Sequence, residues 1–108
     1  MPPPFGDNMD KNELYIKAGC YELENLRYIH HVQSFGKGLR FGLGMNKYAC
    51  NICDITENSI TFIKLTKPKY NKSIKGYEPF KKVEKFKKEN ISIDEVRELL
   101  HNALRVKI

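Results

Sequence analysis

Residues 26–45, LRYIHHVQSFGKGLRFGLGM, contain two β-prone segments on either side of a glycine-rich turn. Every second residue from Leu39 to Met45 is apolar, which predicts a strand with one buried face. Leu26–Phe35 is also β-prone but carries apolar groups on both faces, as in a strand that is covered on both sides. Gly36-Lys37-Gly38 offers the positive-φ positions that a hairpin turn requires. We therefore expect an antiparallel hairpin in this part of the chain.

Further strands are predicted on both sides of this hairpin. Downstream, Tyr48–Ile55 and Ser59–Thr66 are rich in β-branched and aromatic residues, and residues 56–58 form a suitable connection between them. Upstream, apolar and polar residues alternate over Glu13–Ala18, as in a half-buried strand. Together these segments predict an antiparallel sheet of four to five strands that ends at Pro68.

Two helices are predicted after the sheet. Ser92 and Glu95 have the spacing of a capping box, and apolar residues recur at helical spacing behind them. These apolar residues are Ile93, Val96, Leu99, Leu100, Ala103 and Leu104. Because such a face has to be buried, we expect it to pack on the sheet. Tyr77–Lys88 is predicted to form the other helix, with Phe80 and Phe86 turned inward.

The 108 residues have the length of one domain. Residues 1–12 are expected to be a disordered tail, because they contain a run of prolines and no apolar period. Residues 13–108 are expected to form a single α+β domain. Its antiparallel sheet is followed by a basic linker and by one or two C-terminal amphipathic helices that pack on the sheet.

Most of the positive charge lies in Lys64–Lys88, which holds ten lysines and two glutamates and so carries +8, whereas the whole chain carries +6. Lysine is suited to contacts with the phosphate backbone, and a chain with four arginines is poorly supplied for reading base edges. Aromatic residues are interleaved with these lysines, as in many nucleic-acid surfaces. A lysine face that only solvates the protein is the alternative interpretation.

The candidate nucleic-acid-binding residues lie on a lysine-rich loop and helix, with two further cations near the first hairpin. They are Lys67, Lys69, Lys72, Lys75, Lys81, Lys82, Lys85, Lys88, Lys37 and Arg40.

Cys50 and Cys53 have the spacing of half a zinc site. Cys20 and His30 (or the adjacent His31) could complete a set of four ligands. Against this, a strand would direct Cys50 and Cys53 to opposite faces, and free cysteines are mostly small buried core residues. No cofactor is expected, and zinc is kept as an alternative to the core interpretation.

No catalytic motif is recognisable, because nothing in the sequence places a nucleophile or carboxylate beside His30 and His31. The odd number of cysteines and the absence of a signal peptide or an apolar span favour an intracellular protein, cytoplasmic or nuclear. We expect a non-enzymatic accessory protein that binds the RNA or DNA backbone or another polyanion. The alternatives are a protein-interaction subunit or small inhibitor that docks through its sheet or its C-terminal helix, and a peripheral module that binds anionic membranes. The sequence does not specify an oligomeric state.

Overall fold

The structure, a computed structural model, describes residues 3–104. Two short helices come first, followed by seven strands and a final helix. In chain order the elements are α1 (Met9–Lys17), α2 (Cys20–Asn25), β1 (Ile29–Phe35), β2 (Gly38–Leu43), β3 (Ile52–Thr56), β4 (Ser59–Thr66), β5 (Tyr70–Asn71), β6 (Gly76–Tyr77), β7 (Lys81–Glu89) and α3 (Ile93–Leu104). Within these residues, no helix has the length and apolar character needed to cross a membrane.

Five strands form one antiparallel sheet in the order β1-β2-β3-β4-β7. The predicted first hairpin is confirmed: Phe35 pairs with Gly38, and Gly36 in the turn has a φ of 55°. The second predicted hairpin is confirmed as well, since Thr56 pairs with Ser59. Strand β5 pairs with β6 in a separate two-stranded sheet.

All three helices contribute to a single hydrophobic core on one face of the sheet. The sheet side of this core consists of alternate residues of the central strands, among them Phe41, Cys53 and Phe62, which are register partners. The helical side includes Leu14, Leu23, Val96, Leu100 and Leu104. The predicted α+β architecture with a C-terminal helix packed on the sheet is therefore confirmed.

The Ser92 half of the predicted capping box is present at the start of α3, whereas the Glu95 carboxylate contacts Lys88 at 2.8 Å. The amide of Glu95 donates to the Ser92 hydroxyl over 3.2 Å, and the amide of Val96 donates to the Ser92 carbonyl over 3.0 Å. Val96 and Leu100 are fully buried against the sheet. Residues beyond 104, which belong to the predicted domain, lie outside the described part of the chain.

The prediction of a strand over Glu13–Ala18 is wrong, because this segment belongs to helix α1. The helix is capped by Asn8, whose side chain accepts a hydrogen bond from the amide of Lys11. Leu14 and Ala18, four residues apart, are buried on one side, whereas Ile16 is 67% exposed. A six-residue alternation of apolar and polar residues is too short to exclude a helix of this kind.

The domain also begins earlier than residue 13. Lys11 and Asn12 are buried, and the Asn12 side chain accepts from the amide of Phe5 and donates to the carbonyl of Gly6. The Nζ of Lys11 donates to two carbonyls of the first hairpin, those of Gly36 at 2.7 Å and Gly38 at 2.5 Å. Phe5, Lys11 and Asn12 therefore pack against the domain, and Met1 and Pro2 of the predicted tail lie outside the described residues.

The predicted helix over Tyr77–Lys88 is also wrong, because most of this segment forms strand β7. Strand β7 pairs with β4 from Ser59 opposite Glu89 to Thr66 opposite Lys81. Backbone pairing along the free edge of β4 outweighs the helix propensity of lysine and glutamate, which is worth only tenths of a kcal/mol per residue. Within the described residues, α3 is thus the single C-terminal helix.

Candidate nucleic-acid interface

The two strands β4 and β7 form a hairpin that continues past the end of the five-stranded sheet. Beyond the Thr66–Lys81 pair, the amide of Glu78 donates to the carbonyl of Lys69 over 2.8 Å. Tyr70 then pairs with Tyr77, and residues 72–75 form the turn that closes the hairpin. We call residues 67–82 the basic arm. It replaces the loop and helix that the sequence predicts here.

Two prolines separate the arm from the sheet. The register is the same on both sides of the interruption, so Pro68 lies opposite Pro79. Neither residue has an amide hydrogen to donate, and the ladder therefore breaks between the Thr66 pair and the β5–β6 ribbon.

The ribbon itself is held by Asn71. Its side-chain amide donates to the Glu78 carboxylate over 2.9 Å, and its carbonyl accepts from the amide of Ser73 over 2.8 Å. Lys75 adopts a φ of 50° at the end of the turn.

The arm carries six lysines and one glutamate, which give it a formal charge of +5. Its cations are Lys67, Lys69, Lys72, Lys75, Lys81 and Lys82, and all six side chains are exposed. Among the described residues, no carboxylate lies within 4.0 Å of any of these six ammonium groups. The structure therefore brings six of the ten candidate residues together with their charges unpaired. Four of them lie beyond the end of the five-stranded sheet, and Lys81 and Lys82 lie where β7 begins to pair with β4.

Three aromatic rings lie among these lysines and face solvent. Tyr70 is 57%, Tyr77 71% and Phe80 60% exposed. The rings of Tyr70 and Tyr77 meet edge to face, with their centroids 5.6 Å apart. The expectation that Phe80 turns inward is wrong, whereas Phe86 does pack against Tyr48, with ring centroids 5.3 Å apart. Ile74, in the turn, is 61% exposed as well.

The other four candidate residues lie outside the arm. Lys85 is exposed at a bulge of β7, between the Phe62–Phe86 and Ile63–Glu84 pairs, and no carboxylate of the described residues is within ion-pair distance of it. Lys88 is bound to Glu95 of α3 through a 2.8 Å contact. Lys37 lies in the β1–β2 turn, at the opposite end of the sheet from the arm.

Arg40 is held by two neighbours within the sheet. Its Nε and one terminal nitrogen donate to the two carboxylate oxygens of Asp54 at 2.6 and 2.8 Å. Its guanidinium carbon lies 3.7 Å from the centre of the Phe35 ring. The hydrogen bonds to Asp54 raise the pKa of Arg40. Arg40 is therefore already paired within the sheet, and it lies outside the arm.

The alternative zinc set of Cys20, His30, Cys50 and Cys53 is wrong. All three cysteines are buried in the hydrophobic core. His30 pairs with Gly42, whereas Cys53 pairs with Phe41. Because the adjacent residues Phe41 and Gly42 face opposite sides of the sheet, His30 lies on the face away from Cys53. In the part of the chain that the structure describes, no group of three or more histidine, cysteine, aspartate or glutamate side chains could hold a metal ion. The interpretation of the cysteines as buried core residues is confirmed.

His30 and His31 do not face opposite ways, although adjacent residues of a regular strand would. Their rings are 5.3 Å apart, because His31 lies in a bulge of β1 with a φ of 55°. Both side chains are exposed.

The sequence analysis did not predict the hairpin of the arm or the pairing of Tyr70 with Tyr77 in it, although the sequence contains a signal for both. Asn71, Ser73 and Gly76 are residues that favour turns, and they lie between two tyrosines that could pair across a hairpin. Pro68 and Pro79 flank this segment symmetrically.

Comparisons of the chain with protein-family models, curated proteins and solved structures gave no match.

Proposed function

We propose that this protein is a non-enzymatic accessory protein that binds nucleic acid through the basic arm, with the arm lysines contacting phosphates. The observation that carries this proposal is the set of six exposed lysines that have no carboxylate partner among the described residues. Exposed ion pairs form readily between lysine and nearby carboxylates, so a projecting element with six unpaired cations is available for a polyanion.

The type of cation favours the phosphate backbone over base edges. The arm contains lysine as its basic residue and no arginine. Lysine contributes a point charge on a flexible stem, whereas arginine supplies the planar fork that reads guanine edges. Binding through the arm is therefore expected to depend little on sequence and strongly on salt.

The charge distribution would also orient the protein as it approaches a polyanion. The arm carries +5 of the formal +6 charge of the chain, so the remainder is close to neutral. A positive element that projects from a nearly neutral body attracts phosphates to one end of the molecule.

The proposal is tested with two double variants that have the same net charge. Lys72→Glu/Lys75→Glu reverses two charges of the arm, and Lys37→Glu/Lys47→Glu reverses two exposed charges elsewhere. We expect the arm variant to lose at least about tenfold in affinity for generic RNA or DNA. The slope of log K against log salt should fall by about 1.4 for single strands and about 1.8 for duplexes, because two phosphate contacts are lost. The second variant should keep the slope of the wild type.

Equal binding by the two variants would contradict the proposal. Retention on vesicles rich in anionic lipid, together with no binding to RNA or DNA, would favour the membrane module instead. Absence of affinity for both ligands would favour the protein-interaction alternative.

A further inference from the structure

We propose that the ligand of the basic arm is single-stranded nucleic acid whose unpaired bases stack on Tyr70, Tyr77 and Phe80. This inference rests on the proposed function and adds the class of ligand to it. The lysines account for attraction to phosphates, but they do not account for the exposed rings beside them.

The exposure of these rings is the first observation. Three aromatic side chains and Ile74, all more than half exposed, occur within a segment of 16 residues. Large apolar groups concentrated on a projecting element indicate a binding surface, because they add nothing to the core. None of the four belongs to the hydrophobic core cluster of the domain.

The geometry of the tyrosine pair is the second observation. Tyr70 and Tyr77 are register partners, so both rings project from the same face of the ribbon. Their planes are inclined by 76°, in an edge-to-face contact. Such a contact covers one face of one ring and leaves the other ring faces open. A base can therefore stack on this pair without separating the two tyrosines.

The polar residues of the arm are poorly suited to recognising base edges in a duplex. Base edges in a groove are read by arginine, lysine, asparagine or glutamine, and of these lysine is the one without a planar group that matches two atoms of a base. The arm contains no arginine or glutamine, and Asn71 is its one asparagine. Both ends of the Asn71 amide are already bonded, to Glu78 and to the amide of Ser73. Bases in a duplex also stack on one another, so only unpaired bases present a free π-face to a ring.

The experiment compares one ligand with unpaired bases, one without bases and one with paired bases. We would measure binding of the intact protein to oligo(dT) of about 12 nucleotides, to an abasic strand of the same length, and to a duplex of the same length. The chain has six tyrosines and no tryptophan, so tyrosine emission can be followed, and the loss of quenching in Tyr77→Ala/Phe80→Ala would assign the stacking to the arm.

The stacking model predicts that oligo(dT) binds at least about fivefold more tightly than the abasic strand. It also predicts that oligo(dT), unlike the abasic strand, quenches tyrosine emission. The variant Tyr77→Ala/Phe80→Ala should lose this preference and retain the salt dependence of the wild type, because the lysines are unchanged. The control Tyr28→Ala/Met45→Ala removes two exposed side chains outside the arm and should retain the preference.

The outcomes separate the two proposals. Equal affinity for oligo(dT), the abasic strand and the duplex, with the aromatic variant behaving as wild type, would overturn the stacking inference and leave backbone binding in place. Tighter binding to the duplex would overturn it as well. Failure to bind any of the three ligands at low salt would overturn the proposed function itself.

Discussion

At the scale of single residues, the three cysteines show how burial controls reactivity. Burial raises the pKa of each thiol, that of Cys20 from 9.0 to about 12 and that of Cys53 well above 9.0. The folded state therefore keeps the thiols protonated at a pH where the unfolded chain already loses their protons. The contribution of Cys20 to stability is fully present below about pH 9 and is lost as the pH rises toward about 12.

We predict that the wild type loses more stability than Cys20→Ala when the pH is raised from 8 to 11. Comparing the two proteins cancels the titration of the lysines and tyrosines that they share. The measurement is the free energy of unfolding from denaturant titrations at each pH. A constant difference between the two proteins over this range would contradict the raised pKa of Cys20.

Gly38 is a second residue whose role follows from its surroundings. A Cβ at this position would lie 1.8 Å from the backbone oxygen of Ile55, and backbone cannot move aside as a flexible side chain can. We therefore predict that Gly38→Ala lowers the free energy of unfolding by about 3 kcal/mol. Denaturant titration measures the loss.

The neighbouring turn supplies the control. A Cβ at Gly36 meets nothing within 4 Å, and only its φ of 55° opposes a side chain. Gly36→Ala should therefore lower the free energy of unfolding by about 1 kcal/mol. If the two variants are equally stable, the close approach at Gly38 does not limit the packing of these strands.

At the scale of elements, residues 67–80, the part of the arm that lies beyond the sheet, are separable from it. No residue of 67–80 belongs to the hydrophobic core cluster, and the ladder already breaks at the two prolines. We predict that replacing residues 67–80 with Asn-Gly, which joins Thr66 to Lys81 by a two-residue turn, leaves the fold intact. Affinity for nucleic acid should fall at least about tenfold, because four of the six arm lysines and the three exposed rings are removed.

Circular dichroism and thermal unfolding would test the fold, and a salt series on RNA and DNA would test the binding. If the shortened protein bound as tightly as the wild type, the binding site would have to lie on β7 or on another surface. Loss of the folded state would show that the arm supports the sheet.

The elements also show what the sequence can predict. The hairpins β1–β2 and β3–β4 and helix α3 follow from local signals, namely period-two alternation, turn residues and a capping box. Strand β7 does not, because its lysines and glutamates have no strand propensity of their own. Its conformation is set by pairing with β4, an interaction between distant residues that a local pattern does not contain.

At the scale of the whole molecule, stability and charge lie in different parts. The helices and one face of the sheet hold the core, whereas the arm holds most of the net charge. This explains why the position of the positive charge along the chain could be predicted from the sequence, whereas the conformation of the segment that carries it could not. Composition locates the lysines of the arm, but the number of unpaired cations depends on carboxylates such as Glu95 and Asp54. Only the folded chain brings these carboxylates near Lys88 and Arg40.

Strand β7 has one further consequence for the behaviour of the protein in solution. It is the last strand of the sheet, and no strand of the described residues pairs with its outer side. An open edge of this kind invites pairing with the edge of another copy, which leads to aggregation. Five of its nine residues are lysines, so two such edges repel each other. Neutralising these lysines, by acetylation or by a bound polyanion, would remove the repulsion and allow copies to join edge to edge.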